Sequence, residues 1–256
     1  MDIKGKTAFI TGASRGIGRA IATELAQQGI QHLILVARDR QKLAEVAAEI
    51  TSMSVKVTTL SLDLTQLSSI DIAIAQAWRT HRPIHLLINC AGVAHQAPFL
   101  ETQLPKVHEE ISINLLGMIT VTRLMAKRMA KQQEGTIVNV SSLMGKVAAP
   151  TMSTYSATKF AIIGFTQALR SELAERNIKV ITLLPTLTDT DMARQLKLFR
   201  WVMPTTPERV AQILVSRLSK NSGEILVGWQ SYLAVWCQRV FPQLMNKILM
   251  LSAPSV

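Results

Sequence analysis

Tyr155 and Lys159 stand four residues apart in Tyr155-Ser156-Ala157-Thr158-Lys159, and Ser142 lies thirteen residues before the tyrosine. On a helix, positions i and i+4 share one face, so the phenol and the ammonium would sit side by side. A free phenol titrates near pH ~10. An adjacent cation favours the phenolate and lowers that value toward the working range. A serine hydroxyl can hydrogen-bond the same reacting oxygen. The set suits moving a proton to or from an alcohol or carbonyl oxygen. A Tyr-x-x-x-Lys pair alone is a weak signal, because a packed ring beside a solvated lysine has the same spacing. Its weight comes from what else the chain carries.

The elements that must hold these groups are visible as a rhythm. Apolar, β-rich runs cover Thr7 to Ile10, Leu33 to Val36, Val55 to Leu60, Leu86 to Ile88, Thr136 to Val140, Lys179 to Leu184 and Glu224 to Val227. Several are apolar throughout, which marks strands buried on both faces of a parallel sheet. Helical patterns such as Ile17 to Gln28 and Arg40 to Met53 lie between them. This predicts an α/β fold: a doubly wound, Rossmann-type parallel seven-stranded sheet flanked by helices. No Gly/Ser/Pro-rich linker divides it, and 256 residues suit one large domain over two small ones. Two segments break the rhythm, Thr186 to Pro207 and the tail from Trp229 onward.

The first strand runs directly into Thr11-Gly12-Ala13-Ser14-Arg15-Gly16-Ile17-Gly18. Glycines let the backbone turn tightly and approach a pyrophosphate. The helix that follows offers unpaired N–H groups and a positive dipole end. An ordinary glycine turn is the bland alternative, and the strand before and helix after weigh against it. In sites for the non-phosphorylated dinucleotide, an acid about 20 residues past the glycines holds the ribose hydroxyls. Here Arg38 lies 20 residues past Gly18. An arginine there suits a 2′-phosphate, and Arg15 could pair with the same group. Asp39 complicates this, since it could serve the ribose if the strand ends one residue later. Asp63, after the third strand, could accept from an adenine amino group or cap a helix starting near Thr65; the two roles are compatible.

With these residues in place, the chain resembles the classical short-chain dehydrogenase/reductase family. The resemblance covers about the first 195 residues closely and the rest loosely. It rests on Thr11-Gly-x-x-x-Gly-x-Gly18, Asn89-Cys90-Ala91-Gly92, Asn114, Ser142, Tyr155-x-x-x-Lys159, and Pro185 followed by Thr190. Three features depart from the family pattern. Cys90 replaces a second asparagine, Thr186 replaces the glycine after Pro185, and the tail beyond Trp229 has no counterpart in the minimal fold.

The resemblance implies that Tyr155 is the general acid in reduction and the base in oxidation. It implies that Lys159 lowers the phenol and hydrogen-bonds the nicotinamide ribose, and that Ser142 orients the substrate oxygen and stabilises its developing charge. Ser141 is the neighbouring alternative, and the family spacing favours Ser142. Asn114 is expected to hold a water linking Lys159 to solvent; a buried amide satisfying backbone is the other reading. The cofactor implied is NADP(H). Its expected contacts are Gly12, Ser14, Arg15, Gly16, Ile17, Gly18, Arg38, Asp63, Leu64, Asn89, Ala91, Gly92, Tyr155, Lys159, Pro185, Thr188 and Thr190. The domain then covers residues 1–228, with a substrate lid at about 186–207 and an amphipathic tail at 229–256.

Composition narrows the partners. The net charge is +11, with cations spread along the chain and only 5% aromatic residues. Stacking platforms for bases are not evident, so no nucleic acid is expected. An anionic cofactor, an anionic membrane surface or a generally basic surface accounts for the charge. Cys90 and Cys237 suggest no disulfide framework, and no signal peptide is read at the amino terminus, so a cytoplasmic setting is expected. The five histidines show no metal-ligand spacing, and no metal is expected. His81 and His85 read as solvated, and His95 is a candidate substrate contact near the cleft.

The lid carries Met192, Leu196, Leu198, Phe199, Trp201, Val202 and Met203, while Leu143, Met144, Val147 and Met152 flank the catalytic residues. These predict a greasy substrate: a long-chain oxoacyl group, a lipid ketone or a steroid-like carbonyl. In the tail, Leu233, Trp236, Val240, Leu244 and Ile248 follow helical spacing, and Pro242 should split that helix. The tail reads either as a helix packed on its own domain or a partner subunit, or as an interfacial helix in peripheral membrane contact. The resemblance also implies a homodimer or homotetramer through the helices carrying Asn114 to Ala130 and Tyr155 to Glu175. The leading function is reduction of an apolar ketone. The alternatives are oxidation of an apolar alcohol such as a hydroxysteroid, and a non-catalytic cofactor-sensing scaffold.

Overall fold

Thr7–Thr11 is five residues of mostly apolar or β-branched type, every one buried. Such a run fits a pleated strand covered on both sides. Ile10, Leu33 and Leu35 point into one core, while Phe9, Ile34 and Val36 point into the other. Each such side chain, removed from water, contributes roughly 1.5–3 kcal/mol. The computed structural model describes residues 2–220 and 222–254. Among these, the strands are β1 (Thr7–Thr11), β2 (His32–Ala37), β3 (Lys56–Ser61), β4 (Leu86–Asn89), β5 (Gly135–Val140), β6 (Ile178–Leu184) and β7 (Glu224–Leu226). They form one parallel sheet in the order β3-β2-β1-β4-β5-β6-β7.

The helices are α1 (Gly16–Gln27), α2 (Arg40–Thr51), α3 (Leu67–His81), α4 (Leu104–Glu110), α5 (Met118–Gln132), α6 (Ser153–Leu173), α7 (Asp191–Arg194), α8 (Pro207–Arg217), α9 (Trp229–Val240) and α10 (Pro242–Ser252). Residues of α1, α2 and α8 fill one core; those of α3 and α5, joined by the end of α6, fill the other. β1 pairs with β2 on one side and β4 on the other, so the chain reverses its direction of winding there. A cleft opens at the carboxyl ends of strands at such a switch point. The glycine loop, Arg38, Cys90 to Gly92 and Ser142 all follow strands at that edge.

Three expectations need correction. His85 is buried, not solvated: its Nδ1 accepts the Thr7 N–H at 3.1 Å, closing the start of β1. His81 is half-buried and packs edge-on against His32 at 4.9 Å. The helix after Asp63 begins at Leu67, because Asp63 bends the chain first, accepting from both the N–H and the hydroxyl of Thr65 at 2.9 Å. The tail does split where expected, into α9 and α10 at Phe241-Pro242, since proline has no N–H to continue a helix.

Candidate active site

The glycine loop is shaped by close approach. Gly12 has φ +69, and a Cβ there would lie 2.7 Å from the Ala91 Cα. A Cβ on Gly18 would overlap the Gly12 carbonyl. The loop can therefore press against the β4 turn only with hydrogen at both positions. No side chain caps the start of α1, so its first N–H groups face the cleft. The cleft is lined by Gly12, Ser14, Arg15, Gly16, Ile17 and Gly18, by Arg38, Asp63 and Leu64, by Ala91 and Gly92, and by Tyr155, Lys159 and Thr190. Arg15 and Arg38 are exposed at its rim, and neither forms an ion pair among the described residues. Asp39 is committed to the cap of α2, accepting from the Lys42 N–H at 3.1 Å. A bare helix terminus and two free guanidinium groups form a cradle that fits a phosphorylated dinucleotide.

Tyr155 and Lys159 lie on successive turns of α6. The Lys159 Nζ sits 5.4 Å from the centre of the Tyr155 ring and donates to the Val140 carbonyl at 3.2 Å. Burial brings the ammonium down to about 8, while the nearby Glu110 carboxyl holds it up. Burial pushes the Tyr155 phenol up to about 12; its hydrogen bond with Ser142 pulls the other way. The sequence led us to expect a lowered phenol. In the free chain desolvation wins, and the nearby Glu110 carboxyl adds to it. A phenol at about 12 holds its proton at neutral pH and can donate it.

Ser141 donates to the Lys159 carbonyl at 2.8 Å and is buried, which leaves Ser142 as the available hydroxyl. Ser142 starts a single helical turn, Leu143–Gly145, and accepts from the Met144 N–H at 3.1 Å. The Leu143 N–H in turn donates to the Pro185 carbonyl, tying the serine loop to the loop after β6. Asn114 sits in a π turn, Ile111–Gly117, between α4 and α5. Such turns cluster at functional sites. Its amide clamps the Val93 backbone, accepting from N–H at 2.8 Å and donating to the carbonyl at 2.9 Å. It thereby holds the loop after β4 beside Lys159.

A second cavity, of about 640 Å³, continues from Ser142 and Tyr155. Its walls are overwhelmingly apolar: Leu143, Met144, Val147 and Met152 near the hydroxyls, then the lid, then Leu233, Met245 and Leu249 from the tail. The lid is zipped at its base, where Asp189 N–H meets the Thr205 carbonyl at 2.9 Å and Thr205 N–H meets that of Leu187 at 2.8 Å. Gln96 grips it further out, donating to the Lys197 carbonyl and accepting its N–H.

Several expected contacts lie elsewhere. Asn89 is behind the cleft, not on its wall. Its Nδ2 donates to Thr122 Oγ1 on α5 and to Asn139 Oδ1 on the neighbouring strand β5, both at 2.8 Å, because a polar group buried inside β4 must find partners within the fold. Pro185 and Thr188 line the apolar cavity, on the far side of Tyr155. His95 touches neither cavity: its ring meets Glu109 at 3.0 Å and its N–H meets Glu110 at 2.6 Å. Glu110 itself was not foreseen. It is almost fully buried, burial raises its carboxyl above the usual range, and it acts electrostatically on both Lys159 and Tyr155. In the sequence it is one of two glutamates in a polar helical stretch and looks solvated. The Cys90 thiol is pushed up to about 12 by burial and stays protonated.

Comparison with known proteins agrees with this geometry. Residues 6–200 match the short chain dehydrogenase family model. The chain is 34% identical over 242 residues to the 3-oxoacyl-(acyl-carrier-protein) reductase FabG of Aquifex aeolicus, covering 88% of this chain and 97% of that one. It is 32% identical over 235 residues to the NADP-dependent 3-hydroxy acid dehydrogenase of Schizosaccharomyces pombe, covering 88% and 91%. Among solved structures, a short chain dehydrogenase from Burkholderia cenocepacia in complex with NADP superposes with a TM-score of 0.85 at 26% identity, covering 99% of this chain and 100% of that one. This chain belongs to the short-chain dehydrogenase/reductase family of oxidoreductases.

Proposed function

We propose that the protein reduces an apolar ketone, lipid-like or 3-oxoacyl in type, to an alcohol with NADP(H). The observation that carries this is the junction at Tyr155. A cleft with a phosphate cradle reaches it from one side, and an apolar cavity reaches it from the other. NADPH, when bound, supplies the hydride. Tyr155 delivers the proton to the carbonyl oxygen, and its raised pKa keeps it in the protonated form that this step needs. Ser142 hydrogen-bonds the same oxygen and orients it. Lys159 reaches toward the nicotinamide ribose, while Arg15 and Arg38 hold the 2′-phosphate. The names of the two sequence relatives support the substrate class, and the NADP-bound relative supports the cofactor.

The cavity gives the first test. Leu249→Trp should shorten it at the tail end. Ketones of about ten carbons should lose about fourfold in kcat/KM per methylene no longer accommodated, at ~0.8 kcal/mol each. Short ketones should change by less than about twofold on the same grounds. A series of homologous ketones measured on both proteins decides this; an equal fall for every chain length contradicts it.

Lys159 gives a pH dependence. Contact with ribose oxygens favours the ammonium, so binding raises a pKa that lies at about 8 in the free chain. Proton uptake then accompanies binding above that pH, and affinity should fall by up to about tenfold per pH unit. Glu110→Gln removes a charge that holds the lysine up, so the fall should begin at lower pH. Fluorescence titration of NADPH from pH 6.5 to 10 reads both midpoints; a flat profile opposes the assignment.

We also propose a dimer through α5 and α6. Met125 faces the core of its own subunit. Leu115, Ile119 and Leu124 are only half-buried, and Leu116 and Phe160 are exposed beside them. Light scattering at micromolar concentration should give twice the chain mass or a multiple of it; a monomer refutes the interface.

A further inference from the structure

We infer that the lid and the tail form one platform that docks on an anionic lipid bilayer, with the apolar cavity opening onto it. Hydrogen bonds join the two segments. The Arg200 N–H donates to the Ser252 carbonyl at 2.9 Å, the Met203 N–H to Gln230 Oε1 at 3.1 Å, and Gln230 Nε2 to the Trp201 carbonyl at 3.2 Å. The surface they share is apolar and exposed. On α9, Trp229, Tyr232, Leu233, Trp236 and Val240 fall on one stripe at i, i+3, i+4 spacing, each about half exposed or more. On α10, Leu244, Ile248 and Leu251 form a second stripe at the same spacing, each exposed and Ile248 the least. From the lid, Leu198, Trp201 and Met203 project beside them. Buried faces of ordinary terminal helices do not look outward in this way, and a patch of this extent marks an interaction site.

Charge selects the occupant. From Met192 to Pro207 and from Trp229 to Val256 the sequence contains no Asp or Glu. Exposed Arg200 lies in the lid, Arg239 borders the α9 stripe one turn from Trp236, and Lys247 borders the α10 stripe beside Ile248. A second copy of this surface would set cations against cations. An anionic bilayer would instead meet cations at headgroup level and aromatic rings at the interface. Among the described residues no helix is long and apolar enough to cross a membrane, so the platform would lie on the surface.

Trp201, Trp229, Leu233, Trp236, Phe241 and Leu244 both line the cavity and are at least half exposed, so they mark its mouth. An apolar ketone would enter Tyr155's cavity from lipid without crossing water; this part rests on the proposed activity.

Flotation with vesicles tests the docking without cofactor or substrate. Phosphatidylcholine vesicles containing about a quarter phosphatidylglycerol should carry the full chain upward, and pure phosphatidylcholine at least about tenfold less. Arg200→Gln, Arg239→Gln and Lys247→Gln together should reduce anionic binding by roughly fivefold per cation removed. Val240→Glu with Leu251→Glu changes outward residues that do not line the cavity, and should abolish flotation while turnover of a short, water-soluble ketone persists. No flotation on anionic vesicles overturns the inference. So does equal flotation on neutral ones, or flotation unchanged by the double variant. Loss of an oligomer in the double variant, seen by light scattering, would assign the patch to a second copy and overturn it too. Failure here leaves the ketone assay standing, and failure of that assay leaves the vesicle result standing.

Discussion

Replacing Tyr155 by phenylalanine should lower kcat by about two to four orders of magnitude while NADPH still binds, since general acid catalysis contributes on that scale. The substitution removes the hydroxyl and keeps the ring. The ring is what Lys159 packs over, so the cofactor cleft should survive. Ser142 loses its partner at the phenol but retains the bond from the Met144 N–H, which holds the loop. Single-turnover kinetics and a cofactor titration separate the two effects. A variant that keeps most of its rate would mean that another group protonates the substrate, and the site would have to be redrawn.

The second large effect concerns cofactor choice. Arg38→Asp should reduce kcat/KM for NADPH by roughly ten- to a hundredfold and leave NADH use nearly unchanged or improved. A charge-assisted hydrogen bond is worth ~1.5–3 kcal/mol, which converts to that range. Asp39 cannot already be serving the ribose freely, because its carboxylate caps α2. Arg15 remains at the rim, so some NADPH use should persist. Equal use of both cofactors by the unaltered chain would contradict the role given to Arg38.

Much of this was legible in the sequence, for definite physical reasons. Strands buried on both faces must be apolar at successive positions, so the runs from Leu33 and Leu86 revealed themselves to within a residue or two. Gly12 and Gly18 were legible because only glycine tolerates their surroundings. Pro242 announced the break in the tail.

Depth was not legible. Glu110 and His85 are polar letters in polar surroundings, and only the packed fold shows that both are buried. The phenol's upward shift has the same origin: spacing brings Lys159 near, but burial decides the sign. Asn89 was placed at the right strand end with the wrong direction, since a one-residue alternation decides which face a side chain takes. The π turn around Asn114 leaves no mark on hydrophobic period, and the exposed stripe on α9 reads in sequence like any buried one.

The most direct test of the account is NADPH oxidation, followed by absorbance, against methyl ketones and 3-oxoacyl thioesters of increasing chain length, with NADH run in parallel. The account predicts that kcat/KM climbs with each added methylene until the chain fills the cavity, by about fourfold per step at ~0.8 kcal/mol each, and that NADPH exceeds NADH by at least about tenfold. A rate that is flat or falls with chain length, or one that favours NADH, would contradict it.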